Sequence, residues 1–421
     1  MTSYALVDCN NFYVSCERLF CPQLKRRPVV ILSNNDGCVV SRSQEAKALK
    51  IPMATPLFKV HSLLKRHQVA IFSSNYTLYA DISSRVMQTL ELFSPEVEEY
   101  SIDEAFLNLT GLVKSEDRLD YGQKIRQTVH QHVGIPVCVG LAPTKTLAKL
   151  ANYAAKNYPA TNGVVDLHSP QRRQRLLHLT PVGEIWGIGR RTALRLQQMG
   201  IHTGWQLTQM PLKQARHRFS IVMERLIREL HGENCLEVDH QPAPQQQVIC
   251  SRSFGEKIVS FDELRETVCE FSARAAEKLR HNQQAARLIN VSIRTSAYCA
   301  AEPCYANSAS GMLQQHTSDS RQIVAKATQL LEGLWKEGYR YAKAGVMLSD
   351  LCLENNIQPG LFDDVNQKNK SKALMQAMDH INEQCGSIWL GGQRPQRDWF
   401  MNQNYLSPAY TTRWDCLPVV S

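Results

Sequence analysis

The chain predicts an α+β fold divided among several domains, on three observations. At 421 residues it is too long for one ordinary core, because single cores stop growing near ~250–300 residues. Runs of strand length recur between segments whose apolar residues repeat at helical spacing, so helices and sheets share each core. A polar, proline-bearing stretch, Gln241-Pro242-Ala243-Pro244-Gln245-Gln246-Gln247, separates two such regions and reads as a linker.

Hydrophobic residues make up 43% and charged residues 21%, which excludes a disordered chain. The net charge of +9 favours an anionic partner without choosing among nucleic acid, membrane and acidic protein. The first residues carry no basic region followed by a long apolar one, and no apolar run approaches membrane-spanning length. The thirteen cysteines are scattered without a Cys-x-x-Cys, and the thirteen histidines add no zinc-like spacing. Reduced thiols in a cytoplasmic protein with no membrane partner are expected.

Residues 4–7 form a short apolar run, a buried strand ending in Asp8. Asn10 or Asn11 can cap the helix that follows, which puts Phe12, Cys16 and Leu19 or Phe20 on one face. Residues 28–32 and 69–72 read as strands, and residues 43–49 between them as a helix carrying Lys47. Ile82, Val86, Leu90 and Phe93 recur at helical spacing until Ser94-Pro95 stops the helix.

The run Glu99-Tyr100-Ser101-Ile102-Asp103-Glu104-Ala105-Phe106 sets two adjacent acids in a strand-like context. Tyr100, Ile102, Phe106, Leu107 and Leu109 call for burial in a sheet, where ionised carboxylates are costly unless compensated. A tight hairpin puts Asp103 and Glu104 at its tip, where a bound divalent metal would compensate both; a solvated acidic turn is the plainer reading. Residues 120–133 and 144–155 read as helices, the second capped by Thr144, and residues 136–141 and 163–167 as strands. Helices crossing between the strands of a mixed sheet give a ferredoxin-like arrangement. Lys145 and Lys149, four residues apart, share a helix face near Lys156. With Asp8 at a strand end and two acids at a hairpin tip, three carboxylates can converge on a pair of Mg²⁺ ions, which take oxygen ligands and serve phosphoryl displacement.

At this point the sequence resembles a known family. Asp8-Cys9-Asn10-Asn11-Phe12-Tyr13 and Ser101-Ile102-Asp103-Glu104-Ala105-Phe106 resemble the Y-family translesion DNA polymerases. Ser33-Asn34-Asn35-Asp36-Gly37-Cys38-Val39 and Ser73-Ser74-Asn75-Tyr76 narrow this to the UmuC type, the catalytic subunit of bacterial DNA polymerase V. The resemblance implies a palm (1–20 and 77–166), fingers (21–76), a thumb (167–240), a linker (241–247), a little finger (248–350) and a partner-binding tail (351–421). It implies Asp8, Asp103 and Glu104 as catalytic metal ligands with the Cys9 carbonyl, two Mg²⁺ ions and a dNTP substrate. Tyr13 is then the steric gate under the incoming sugar, and Lys47 and Lys156 bind the triphosphate. Gln44 stands where several relatives have Tyr, and Arg42 has no assigned role.

Val182 to Arg191 looks like a helix-hairpin-helix: Gly187-Ile188-Gly189 lets backbone amides approach a phosphate, and Arg190 and Arg191 stand beside it. Residues 167–240 hold 11 Lys+Arg against 6 Asp+Glu, which suits sequence-independent contact with primer–template DNA. Residues 248–254, 288–294 and 344–348 read as strands, and 264–281 and 318–335 as helices, fitting the family's α/β little finger with Arg252 and Arg294 as DNA-backbone contacts. Gln358, Leu361 and Phe362 resemble a peptide for the β sliding clamp. By resemblance the tail binds a UmuD′-like dimer, and a RecA-type recombinase filament is a further partner. The implied activity is error-prone translesion synthesis in the bacterial SOS response. A palm-type nucleotidyl cyclase and a non-enzymatic, clamp-recruiting DNA scaffold remain as alternatives.

Overall fold

The computed structural model of the chain describes residues 2–237, 244–299, 302–357, 365–384, 388–392 and 401–417. The chain divides into two compact units, Met1–Pro242 with Asn404–Ser421, and Ala243–Gln403.

The first unit is built on a mixed five-stranded sheet. Its strands are β1 (Tyr4–Cys9), β5 (Val97–Glu99), β6 (Glu104–Asn108), β7 (Val137–Ala142) and β8 (Val164–Asp166), in the order β5-β6-β1-β7-β8. The β1 side chains are buried throughout, so an unbroken apolar run, rather than alternation, marks this strand. Successive side chains take opposite faces. Ala5, Val7 and Cys9 join the core formed with α1 (Phe12–Phe20) and the helices over Tyr76–Leu90 and Arg118–Val133. Tyr4 and Leu6 join the core under the helix over Lys145–Asn157. Asp8 continues the Tyr4–Leu6 set, so its carboxylate emerges on the face which that helix covers.

A smaller sheet, in the order β3-β2-β4, comprises β2 (Val29–Leu32), β3 (Val39–Arg42) and β4 (Ala70–Ser73). It packs with α2 (Gln44–Ala48) and α3 (Leu57–Arg66) around Val30, Leu32, Ala46 and Leu64. Ser43 caps α2 by accepting from the Ala46 N–H. The next helix, α4 (Tyr76–Leu90), is capped by Asn75, and α5 (Arg118–Val133) ends at Gly134 in the left-handed region, with φ 78°. Thr144 caps α6 (Lys145–Asn157) as its sequence indicates. Five helices follow: α7 (Pro170–Leu179), α8 (Arg190–Gln198), α9 (Gly204–Thr208), α10 (Leu212–Arg218) and α11 (Ile221–His231).

Glu229 of α11 ties this helical region to α6. Its side chain is fully buried; Oε2 accepts from the Thr146 N–H at 3.1 Å, and Oε1 from the Cys235 and Leu236 N–H groups at 2.7 and 3.2 Å. Truncation would strand three backbone donors, each worth ~1 kcal/mol or more. Glu229→Ala is expected to lose about 3 kcal/mol of unfolding free energy, read from urea denaturation, whereas an unchanged midpoint would mean these donors find other acceptors.

In the second unit β9 (Gln247–Ile258), β10 (Gln284–Thr295), β11 (Ala306–Thr317) and β12 (Tyr341–Leu353) form an antiparallel sheet in the order β11-β10-β12-β9. Helices α12 (Phe261–His281) and α13 (Ser320–Leu334) share its core, around Leu264, Phe271, Ile323 and Leu331. Periodicity gives no strand over Ala306–Thr317, yet β11 forms there. It is an edge strand whose only strongly buried hydrophobic residue is Leu313, so pairing to β10, rather than pattern, specifies it. The helix α14 (Val365–Gln384), in a region that reads only as polar, is held by Arg280, whose guanidinium meets both Asp379 oxygens at 2.6 Å. No described helix is long and apolar enough to cross a membrane.

Candidate active site

The register of β1 against β6 sets Asp8 directly across from Glu104, and residues directly opposite share a face. Strands β5 and β6 form the hairpin expected over the acidic run, with Val97 opposite Leu107 and Glu99 opposite Ala105, so Asp103 and Glu104 lie at its tip. The Cys9 N–H donates to the Asp103 carbonyl at 2.9 Å and clips that tip to the end of β1. The Asp103 side chain accepts from Ser101 Oγ at 2.7 Å. Phe106, Leu107 and Leu109 are buried as the sequence indicates, but Tyr100 is 44% exposed and Ile102 only partly buried. Both belong to the turn rather than to a strand. Tyr100 instead receives the Trp186 indole N–H at 3.3 Å and stands edge-on to that ring.

Two α6 lysines compensate the acids. Lys156 Nζ lies 2.5 Å from Asp8 Oδ2, and Lys149 Nζ lies 2.5 Å from Glu104 Oε2 while sitting 4.2 Å from the centre of the Tyr100 ring. Burial, and then the hydrogen bond shared with Glu104, push the Asp8 carboxyl up to about 7 against the pull of Lys156. Burial also raises Glu104, but the contact with Asp8 and the Lys149 ammonium outweigh it and hold Glu104 below the ordinary glutamate value. Lys145, a third lysine of the sequence stripe, is neither solvated nor directed at these acids. It is buried, pairs with Glu98, and donates to the Glu237 carbonyl at 2.6 Å.

Among the described residues no three His, Cys, Asp or Glu side chains already surround a common point as a metal centre. Ser101 holds Asp103, and the lysines hold the other two acids. The donor chemistry nevertheless fits Mg²⁺: three carboxylates and a backbone carbonyl are hard oxygen ligands. Burial and the Glu104 contact hold the Asp8 carboxyl above its ordinary value even with Lys156 beside it, so a bound cation would be compensating at that position.

Asn11 precedes α1, but with φ 48° its side chain makes no cap. Its Oδ1 accepts from Lys47 Nζ at 2.7 Å instead, which brings Lys47 to the start of α1. Burial and then the nearby Arg42 and Lys156 charges lower the Lys47 pKa. Arg42 itself donates to the Ile51 carbonyl, a structural role. Tyr13, in the first turn of α1, stacks on Tyr79 with ring centres 4.4 Å apart and planes 14° apart.

Gly187 takes φ 88° and Gly189 caps α8, so the turn has the conformation its glycines permit, with Arg190 and Arg191 exposed beside it. In the second unit Arg252 lies across from Ala344 and Arg294 across from Lys343. Neighbouring residues of one strand point to opposite faces, so the register separates the two arginines that the sequence groups together. Lys343, on the Arg294 face, escaped sequence reasoning, as did the Lys149–Glu104 pair; only the helical spacing to Lys156 hinted at the latter. Gln358, Leu361 and Phe362 lie outside the described residues.

The impB/mucB/samB family model matches residues 7–153, its C-terminal domain matches 245–361, and a domain of unknown function, DUF4113, matches 372–420. Protein UmuC of Salmonella typhimurium is 47% identical over 417 residues, covering 98% of this chain and 99% of the relative. Protein ImpB of Salmonella typhimurium is 45% identical over 419 residues, covering 99% of both chains. Among solved structures, a chimeric Y-family DNA polymerase shares the fold, with a TM-score of 0.67 at 21% identity over 83% of this chain and 99% of its own. Near-complete coverage at such identity leaves no room for a different fold or a borrowed domain: the chain belongs to the impB/mucB/samB family, the UmuC type of the Y-family DNA polymerases.

Proposed function

We infer that the cluster around Asp8 and Glu104 is the nucleotidyl-transfer centre of an error-prone translesion DNA polymerase. The observation that carries this is the cross-strand pairing of Asp8 with Glu104 beside the clipped Asp103 tip, under a helix that aims two lysines at the same place. Asp8, Asp103, Glu104 and the Cys9 carbonyl are the residues that would hold two Mg²⁺ ions. When bound, such ions make the primer 3′-hydroxyl easier to deprotonate and neutralise charge on the departing pyrophosphate.

The chain's own part is binding and positioning. Lys47 and Lys156 receive the triphosphate of the dNTP, Lys156 exchanging its Asp8 contact for a phosphate. The Tyr13 ring lies under the sugar and excludes a 2′-hydroxyl. Residues 1–20 and 77–166 act as palm, 21–76 as fingers, 167–240 as thumb, 248–350 as little finger behind the 241–247 linker, and 351–421 as a partner-binding tail. Gly187, Gly189, Arg190 and Arg191 hold the duplex backbone from the thumb, and Arg294, with Lys343 on its face of the sheet, from the little finger, Arg252 lying on the opposite face. Gln358, Leu361 and Phe362 engage the β sliding clamp, and a UmuD′-like dimer and a RecA-type filament complete a cytoplasmic assembly of the SOS response.

The test is primer extension across a damaged template by the full-length protein with Mg²⁺, with and without the dimeric partner and the filament. No nucleotide addition under any condition would refute the reading. Lys156→Ala is expected to raise the KM for dNTP about tenfold, the ~1.4 kcal/mol of one charged phosphate contact. Steady-state single-nucleotide insertion measures this, and an unchanged KM would remove Lys156 from the triphosphate site.

A further inference from the structure

Residues that marked the UmuC type in sequence turn out to hold the far end of the chain. Asp36 Oδ2 accepts from the Asn404 N–H at 2.7 Å, while Oδ1 accepts from Ser73 Oγ at 2.6 Å. The Ser73 N–H donates to the Tyr405 carbonyl at 3.0 Å, and the Tyr405 N–H returns a bond to Ser73 Oγ at 3.0 Å. Asn75 Nδ2 donates to Ser407 Oγ at 3.0 Å. Three residues later Tyr410 stacks on Phe20, with ring centres 4.6 Å apart and planes 7° apart. Residues 404–410 thus lie across the seam between the small sheet and α1 like an added strap.

That strap ends in a chain of contacts directed at Tyr13. Ser407 Oγ donates to Glu17 Oε1 at 3.0 Å, and the Tyr79 hydroxyl donates to the same oxygen at 2.8 Å. Glu17 and Tyr79 are both fully buried, and the Tyr79 ring is the surface on which Tyr13 stacks. Glu17 follows Tyr13 by four residues, one turn along α1. Among the described residues, Glu17 Oε2 has no hydrogen-bond partner, so its other oxygen alone anchors the carboxyl.

We propose that residues 404–410 brace the wall of the nucleotide pocket, with Ser407, Glu17 and Tyr79 acting as positioning residues that keep the Tyr13 ring from receding. The proposal rests on the reading of Tyr13 as steric gate. Excluding one hydroxyl by contact works only if the excluding ring cannot yield, since a displacement of ~1 Å removes a van der Waals clash. The ring that lies flat against Tyr13 is Tyr79, and Tyr79 is held through its hydroxyl on Glu17. Ser407 supplies the second donor to that carboxylate. This gives part of the DUF4113 segment a task in choosing the sugar.

The test uses full-length Ser407→Ala, Ser407→Thr and Tyr13→Ala proteins under the primer-extension conditions above. The readout is the ratio of kcat/KM for a dNTP to that for the matching rNTP. Ser407→Ala is expected to lower this ratio about threefold to tenfold, the loss of one ordinary hydrogen bond, with dNTP insertion within about twofold of the parent. Ser407→Thr, which keeps the hydroxyl, is expected to restore the ratio. A merely structural strap would depress both nucleotides equally and leave the ratio unchanged. If Tyr13→Ala admits ribonucleotides while Ser407→Ala leaves the ratio intact, the brace is overturned and the gate stands. If Tyr13→Ala leaves the ratio intact as well, the gate reading fails and takes the brace with it.

Discussion

Asp103→Ala and Glu104→Ala proteins are expected to bind primer–template DNA with affinity within about twofold of the parent and to extend no measurable primer, a loss of at least ~10³-fold in kcat. The two changes test different parts of one arrangement. The Asp103 backbone is held by the Cys9 N–H whatever its side chain, so truncation removes a carboxylate without releasing the hairpin tip. Truncating Glu104 frees Lys149, which retains the Tyr100 face at 4.2 Å and so does not collapse into the site. Neither residue lies among the basic groups of the helical region at 170–231, and so duplex affinity is expected to survive. Filter binding or anisotropy on the duplex, run beside primer extension, separates the two quantities. Undiminished extension by both proteins would place the chemistry elsewhere.

Gly140→Ala is expected to cost about 3 kcal/mol or more and to depress activity with it. Gly140 lies in β7 opposite Leu6, on the sheet face that α6 covers. A Cβ there would stand 2.3 Å from the Ala148 carbonyl oxygen and 2.4 Å from the Asn152 nitrogen. Both are backbone atoms of a helix, so no side chain can swing aside, and α6 must lift from the sheet. The same helix carries Lys149 and Lys156, and Asn152 Nδ2 donates to the Cys138 carbonyl at 2.8 Å, so a shift of α6 reaches the acids. Thermal unfolding and single-nucleotide insertion should fall together. A parent-like melting temperature would show that the helix accommodates a methyl group.

Much of the centre was legible because its signals are local. A strand buried on both faces reads as an apolar run, and Asp8 ends it. An acidic pair between two strand-forming runs reads as a hairpin tip. Thr144 reads as a cap because the side chain that closes a helix is a near neighbour of the N–H it accepts from, and Ser43, read as the first residue of its helix, proves to be a cap for the same reason. Where local chemistry and context disagreed, context won: Asn11 has a capping side chain, but its left-handed backbone turns that side chain to Lys47 instead.

The sequence by itself determined the strands and helices around the three acids, from β1 and α1 through α4 to α6, and what family they belong to, whereas β3, α3, α7 and α9 to α11 left no signal that was read. The tertiary structure alone decided that Asp8 faces Glu104, which lysine serves which acid, that Lys145 is buried, that Arg252 and Arg294 point apart, and that residues 404–410 lie against α1. The physical reason is separation along the chain. Strand and helix periodicity, caps and turns are set by residues within a few positions of one another. Register, ion pairing and the seat of the tail are contacts between segments tens to hundreds of residues apart, and only closure of the core chooses among the many pairings that local patterns permit.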